Sequence, residues 1–397
     1  MTASALLFPH DVGLAPPPPA PAPFVGRLPW VLLALLALHG LIHLLGVVKG
    51  FGLAELPQLA QPISRGMALL WLLAAMLVLA AVALAVARPD AWWPVGIAAA
   101  LVSQAVIVAA WGDAKAGTVP NVLLLGAALL TAAMAGPTSY RARFLQDAQE
   151  GLARPVDAPL VTDADLAPLP APVQRYLRLV GAVGRPRVRN FAVRFEGRIR
   201  SGPDAPWMAF TADQQSFLDR PTRLFLLHAT KGGLPVEVYH RLADGHATMQ
   251  VRTLGLVPIV DARGPVMDRS ESVTMLNDMA LLAPASLVDA AIRWQAVDDR
   301  RAIAHFTHGA NEVSATLVFG EDGLLADFIS DDRSAASPDG KTFTRLRWTT
   351  PARDYRDYGP ARIASFGEAR YDAPGGSYAY GEFTVRAVAY NVGRGSG

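Results

Sequence analysis

Met67-Ala-Leu-Leu-Trp-Leu-Leu-Ala-Ala-Met-Leu-Val-Leu-Ala-Ala-Val-Ala-Leu-Ala-Val86 is a run of twenty residues with no charge, no amide side chain and no proline. As an α-helix it would be about 30 Å long, the thickness of the hydrocarbon core of a bilayer. Three more apolar stretches flank it. Trp30 to Val48 comes first. Trp92 to Trp111 has tryptophans at both ends, where indole rings favour the membrane interface. Val119 to Ala135 carries Pro120 near its start, a residue tolerated in a first helical turn. The alternative is buried helices in a large soluble core, and four consecutive runs with short polar breaks argue against it. Residues 27–136 are therefore expected to form an all-α transmembrane region of four helices. After Pro137 the charge density rises to an ordinary soluble level, which marks a different kind of domain.

The chain has 397 residues, a net charge of +2 and no cysteine. It lacks the basic stripe of a nucleic-acid binder. Without cysteine there are no disulfides, no thiolate metal sites and no lipidated cysteine anchor. Residues 1–26 read as a disordered, proline-rich tail, because Ala15 to Pro23 is mostly proline and alanine and cannot pack a core. No charged segment precedes the first apolar run, and that run starts too late for a cleaved signal peptide. With four spans, Arg27, Arg88, Arg141 and Arg143 fall on one side and Lys49, Arg65 and Lys115 on the other. By the positive-inside rule the larger group is cytoplasmic. The expected location is the inner (cytoplasmic) membrane, multi-pass, with the C-terminal domain on the N-terminal, cytoplasmic side by a margin of one charge.

Residues 137–168 read as a polar linker with a short helix near Tyr140 to Leu152. A soluble antiparallel β domain is expected over 169–393. It opens with a helix whose Val173, Tyr176, Leu177 and Val180 share one face, with Pro172 in the first turn and Gly181 at the end. The period then changes to two. Phe191, Val193 and Phe195 alternate with polar residues, as do Val236 and Val238, then Ala247, Met249 and Val251, then Val313 to Phe319, then Phe383 to Ala389. That pattern means antiparallel sheet with one face buried. Turn signals at Asp244-Gly245, Asp322-Gly323, Asp339-Gly340 and Gly375-Gly376 bring the count to about ten strands. One helix interrupts them. Asp268-Arg-Ser-Glu271 has the form of a capping box, Val273, Leu276, Met279 and Ala283 follow at helical spacing, and Pro284 marks the end. The fold class is thus a four-helix transmembrane region plus an α+β domain, a curved half-barrel wrapped on a helix.

Three segments carry a resemblance. Leu169-Pro-Ala-Pro-Val-Gln-Arg-Tyr-Leu177, Thr350-Pro-Ala-Arg-Asp-Tyr-Arg-Asp-Tyr-Gly359 and Gly367-Glu-Ala-Arg-Tyr371 resemble the marker motifs of an uncharacterised bacterial family that often has membrane helices before the domain. The likeness covers about Leu169 to Val392. That family has no assigned activity, so it implies no catalytic residues. The order of strands, a helix ending in Leu281-Leu-Ala-Pro284, then more strands is also similar to the lipoprotein-carrier fold of LolA and LppX. That resemblance implies an open half-barrel over an apolar cavity that takes lipid.

The nucleophile elbow, the His-Glu-x-x-His zinc motif, the phosphate loop and the dinucleotide fingerprint are all absent. No cofactor or metal is expected. His39 and His43 are four apart and share a helix face. They either hydrogen-bond between helices or serve haem, a metal or a proton relay. Asp113, Lys115 and Asn121 read as a solvated turn with a local ion pair. With Asp244-Gly245 as a two-residue turn, His240 faces Met249 and Ala243 faces His246, so the two histidines diverge. His305 and His308 diverge too. The pairs Asp298-Asp299 and Asp331-Asp332 read as solvated turns. Asp278, among apolar helix residues, and Glu368, between Phe366 and Tyr371, could anchor a buried hydrogen bond or a ligand headgroup. Three functions fit: a domain that binds a lipid-like ligand beside the bilayer; an envelope-assembly module that docks a protein through Trp207, Tyr355 and Tyr358; or a membrane enzyme or redox protein using His39 and His43.

Overall fold

The computed structural model describes residues 28–289, 291–359 and 361–393. The tail expected over 1–26, and Arg27 of the charge count, lie outside the described residues. The chain divides into a helical unit that ends at Arg143 and a β-rich unit that resumes at Phe144.

The helical unit contains α1 (Trp30–Gly50), α2 (Arg65–Ala87), α3 (Trp93–Ala109), a one-turn α4 (Trp111–Ala114) and α5 (Thr118–Ala135). Ser64 caps α2 by accepting the Met67 amide at 3.2 Å, which satisfies one of the orphan donors of a helix start. Small residues let α1 and α2 approach closely. A Cβ on Gly46 would stand 2.2 Å from the Trp71 ring, and Ala68, Ala74 and Ala75 beside it are buried. Among the described residues three helical stretches are long and apolar enough to cross a membrane: Trp30–Gly50, Arg65–Ala87 and Trp111–Leu152, while Trp93–Ala109 is shorter.

The β unit takes in most of α6 (Tyr140–Leu152), which falls where the sequence placed a short helix, then α7 (Asp163–Leu166) and α8 (Ala171–Leu179). A capping box of Thr162 and Asp165 starts α7. In α8, Pro172 sits in the first turn, Val173, Tyr176 and Leu177 are buried, and Gly181 has φ +74°, as the spacing predicts.

Among the described residues sixteen strands follow rather than about ten. They are β1 (Asn190–Ile199), β2 (Met208–Phe217), β3 (Thr222–Lys231), β4 (Leu234–Ala243), β5 (His246–Thr253), β6 (Val257–Arg263), β7 (Ile292–Asp298), β8 (Arg301–His308), β9 (Asn311–Phe319), β10 (Leu325–Ser330), β11 (Ser334–Ala336), β12 (Phe343–Arg345), β13 (Arg347–Thr349), β14 (Ala352–Asp357), β15 (Arg362–Ala373) and β16 (Gly376–Tyr390). Fourteen form one sheet in the order β6-β5-β4-β3-β2-β1-β16-β15-β13-β10-β9-β8-β7, with β14 added on β15; β11 and β12 make a separate hairpin. The first six strands form one wing. The chain then crosses and returns along the other wing to β16, which pairs with β1. β6 and β7 are free edges, so the sheet does not close into a barrel. The uncounted strands escaped for two reasons. β11, β12 and β13 are only three residues long. β3 has a run of seven buried residues, and a strand buried on both faces shows no alternation. The β4–β5 turn is the expected one: Asp244 and Gly245 have φ +54° and +78°, the left-handed pair a two-residue hairpin requires.

Helix α9 (Pro265–Leu282) is the core that the sheet wraps. It begins before the expected cap. Gly264 takes φ +100° and Pro265 opens the helix, a favoured first helical residue because its missing N–H needs no partner there. Asp268 is therefore inside the helix, and its carboxylate accepts the Ala247 amide at 2.6 Å instead of capping. Every residue from Ser270 to Leu282 is buried, so α9 has no wet face beyond its first turns. Its end is closed by two tyrosines: Tyr176 Oη donates to the Ala280 carbonyl at 2.8 Å and Tyr390 Oη to the Leu282 carbonyl at 2.5 Å. These are the carbonyls a buried helix terminus would otherwise leave without donors.

Candidate functional site

Between α9 and the concave face of the sheet lies a cavity of about 420 Å³. Strand alternation builds its walls. Along β3 the inward residues run from buried Arg223 through Phe225, Leu227 and Ala229 to Lys231, which is exposed at the strand end. Val238 on β4, Met249 on β5 and Phe383 on β16 extend the apolar wall. Tyr371 and Tyr380 stack with ring centroids 5.0 Å apart, and Trp348 Nε1 donates to Tyr380 Oη at 3.1 Å.

The inner end is polar and tightly matched. Arg223 Nε donates to Asp278 Oδ2 at 2.6 Å and Arg223 Nη1 to Glu271 Oε2 at 3.3 Å. Gln214 Nε2 donates to Asp278 at 2.7 Å. Arg333 donates to Tyr371 Oη at 2.5 Å, to Glu271 Oε1 at 3.3 Å and to Thr274 Oγ1 at 3.2 Å, and lies over the Trp348 ring. Two arginines thus face two carboxylates. Burial alone would raise the Glu271 carboxyl, but His240, Arg223 and Arg333 outweigh it and hold Glu271 below its usual range. Burial wins at Asp278, where Arg223 and Gln214 offset it only in part and the carboxyl is raised. His240 Nδ1 stands 3.6 Å from Glu271 Oε1, too far for a hydrogen bond.

Both sequence candidates in the β unit line this cavity. Asp278 is in the buried cluster, and Glu368 is in the wall, held by Arg370 at 2.8 Å and Arg353 at 3.3 Å. The sequence reading missed Arg223, Gln214 and Arg333, and took Glu271 for a cap. One signal was legible: Arg223 shares strand parity with Phe225 and Leu227, so it is an arginine on an apolar face. His240 pairs with Met249 and Ala243 with His246 in the expected register. His240 lines the cavity while His246 is exposed. Asp332 departs from its expected place in a solvated turn. It is buried and takes Arg269 at 2.6 Å, Arg345 at 2.7 Å and the Ser314 amide at 2.8 Å. Among the described residues no three or more His, Asp or Glu gather as a metal site.

In the helical unit the structure brings His39 and His43 of α1 together with Ser103 of α3 and Asn121 of α5. His43 Nδ1 is 2.9 Å from the His39 carbonyl. A carbonyl only accepts, so Nδ1 carries a proton. Ser103 Oγ is 2.9 Å from His43 Nε2 and 2.9 Å from Asn121 Oδ1, and its single hydroxyl proton serves one of the two. His39 Nε2 donates to Asn121 Oδ1 at 3.0 Å, Asn121 Nδ2 to Gln104 Oε1 at 3.0 Å, and Gln104 Nε2 to Thr118 Oγ1 at 3.2 Å. Asn121 is buried here, not in the solvated turn expected of it. Asp113 does lie in that turn, but it accepts the Gln61 amide at 2.9 Å. Lys115 sits in the adjoining short turn, exposed, and the expected Asp113–Lys115 ion pair is not among those of the described residues.

The aromatics expected to dock a protein are engaged within the domain. Tyr355 Oη donates to the Leu325 carbonyl and Tyr358 Oη to the Val385 carbonyl. Trp207 lies between the guanidinium groups of Arg198 and Arg200, each 4.6 Å from its ring centre.

No curated protein matches the chain. Among solved structures, a DUF1329 family protein from Desulfovibrio piger is similar at 13% identity and a TM-score of 0.33, over 56% of this chain and 93% of its own. A putative outer membrane lipoprotein-sorting protein domain from Vibrio parahaemolyticus is similar at 10% identity and a TM-score of 0.30, over 51% and 86%. Residues 159–383 match the model of a family of unknown function, DUF6544, and the chain belongs to that family.

Proposed function

We propose that the β domain binds one hydrophobic, lipid-like molecule in the cavity under α9. The observation that carries this reading is the cavity itself, about 420 Å³ with mostly apolar walls and a buried polar end. That volume is in the lower half of the range typical of small-ligand pockets, so it suits a single chain or ring system better than a whole two-chain lipid. The cluster of Arg223, Arg333, Glu271 and Asp278 is matched within itself, so the ligand needs no charge to enter and meets hydrogen-bonding groups only at one end. The helical unit supplies the setting. We propose that α1, α2, α3 and α5 each cross the inner membrane, α3 being the short one. The β domain then lies on the same side as the start of α1, cytoplasmic by the charge count. Cysteine accessibility at introduced sites would map this, since the chain has no native cysteine.

The test is occlusion. Val238→Trp places an indole in the apolar wall. The expected result is loss of uptake of a fluorescent fatty-acid probe by the full chain, with the thermal transition kept. Unchanged probe binding in a folded Val238→Trp variant would contradict the reading.

A further inference from the structure

We propose that the tips of the β3–β4 and β5–β6 hairpins form a docking edge for an anionic bilayer surface. Four large apolar side chains stand out there: Leu234 is 50% exposed, Leu256 63%, Val257 52% and Ile259 47%. A single exposed leucine needs no explanation, but these four adjoin. The Leu254 amide donates to the Pro235 carbonyl at 2.9 Å, Val236 pairs with Thr253, and Thr253 pairs with Val257. A contiguous apolar patch of this kind marks an interaction surface.

Two features choose the occupant. The tip segments 229–236 and 251–260 carry no carboxylate, and Lys231 is exposed there as the basic fringe, while Arg252 is half-buried and donates to the Gly255 carbonyl at 3.2 Å. Apolar side chains with a basic fringe are what an anionic membrane interface selects. β6 is also a free edge, which could instead accept a strand from a protein partner. Pro258 in its middle has no N–H to offer, and the β5–β6 register breaks between Val251 and Arg252. Both features blunt an edge against strand addition. The edge adjoins the cavity, since Lys231 and Ile259 belong to both. A bilayer touching these tips would meet the cavity mouth. The inference nonetheless goes beyond the cavity reading, because docking requires no ligand.

The absence of native cysteine makes a clean test possible. Full-length Leu256→Cys is labelled with nitrobenzoxadiazole in nanodiscs of phosphatidylcholine and phosphatidylglycerol, and quenching by lipid-borne nitroxide is read. The reference is Val297→Cys, an exposed apolar position on the other free edge, β7. The expected result is a blue-shifted Leu256 label quenched several-fold more strongly than the Val297 label. The difference should shrink in pure phosphatidylcholine and with Lys231→Glu. Both sites are exposed, so the variants should fold, and a matching thermal transition checks it. Equal quenching at the two positions overturns the proposal. Strong quenching at Leu256 that ignores headgroup charge and Lys231→Glu overturns its anionic half. An empty cavity affects neither outcome.

Discussion

Both units bury polar groups, and they do so in opposite ways. In the helical unit His39, His43, Ser103 and Asn121 form a hydrogen-bonded network across α1, α3 and α5 that contains no carboxylate, lysine or arginine. In the β unit Arg223 and Arg333 are buried against Glu271 and Asp278 as close ion-pair partners. An apolar surround makes a net charge costly, and neutral chains cross-link helices without one. Charges can be buried when they are paired and hydrogen-bonded, and the β unit supplies those partners. The two arrangements also differ in what they leave free. Three of the four ring nitrogens of the histidine pair are engaged, so a metal bridging both rings would have to displace hydrogen bonds. The charged cluster forms one end of an open space, and that space is where binding is to be sought.

Breaking the charged cluster should have the largest effect. Glu271→Ala leaves buried Arg333 without its carboxylate and Arg223 with Asp278 alone, a loss of about 3–5 kcal/mol, read as a fall in denaturant midpoint or failure of the domain to fold. A shift of less than about 1 kcal/mol would mean that the cluster is solvated. Next is the closed end of α9. Tyr390→Phe strands the Leu282 carbonyl and should cost about 1–3 kcal/mol; no change would show that water replaces the hydroxyl.

A smaller effect separates charge burial from hydrogen bonding. Asp327 accepts the amides of Phe328 and Thr350 at 2.8 and 3.0 Å, yet burial pushes its carboxyl up to about 6. A folded value above the unfolded one means that stability is fully present below about pH 4 and is lost as pH rises through 6. Asp327→Asn keeps an acceptor for both amides and removes the titration. Discounted for partial exposure, the variant should gain about 1–2 kcal/mol at pH 8 and little at pH 4. Parallel pH profiles for the two proteins would refute the assignment. Smallest of all, Asn121→Ala should cost only about 0.6–1.7 kcal/mol, the range for hydrogen bonds between membrane helices. A loss as large as that of Glu271→Ala would erase the contrast between the units.

Local signals carried much of the architecture into the sequence. Unbroken apolar runs gave the helices, and period-two alternation gave β1, β4, β5, β9 and β16. Asp244-Gly245 gave the turn that sets the register of His240. The start of α9 was misread because Asp268 and Glu271 imitate a capping box while Pro265 opens the helix. The cavity was the least legible part. Its charged end is assembled from β2, β3, α9 and the chain after β10, segments far apart in sequence. Each residue has an ordinary local reading: Glu271 as a cap, Arg333 as a turn residue beside two aspartates. Asp278, a carboxylate among apolar helix residues, and Glu368 pointed to the site, while Arg223, out of place on an apolar strand face, was a signal the sequence reading missed. In the helical unit the two histidines were visible, but their partners Ser103 and Asn121 come from other helices, and spacing within one helix does not reveal them.

The central claim is that the β domain holds a hydrophobic ligand under α9, and native mass spectrometry of the full chain purified from its own membrane tests it most directly. A lipid-sized adduct that is lost on denaturation and absent from the folded Val238→Trp variant is the predicted result. A bare chain mass, with no uptake of added lipid, would contradict it.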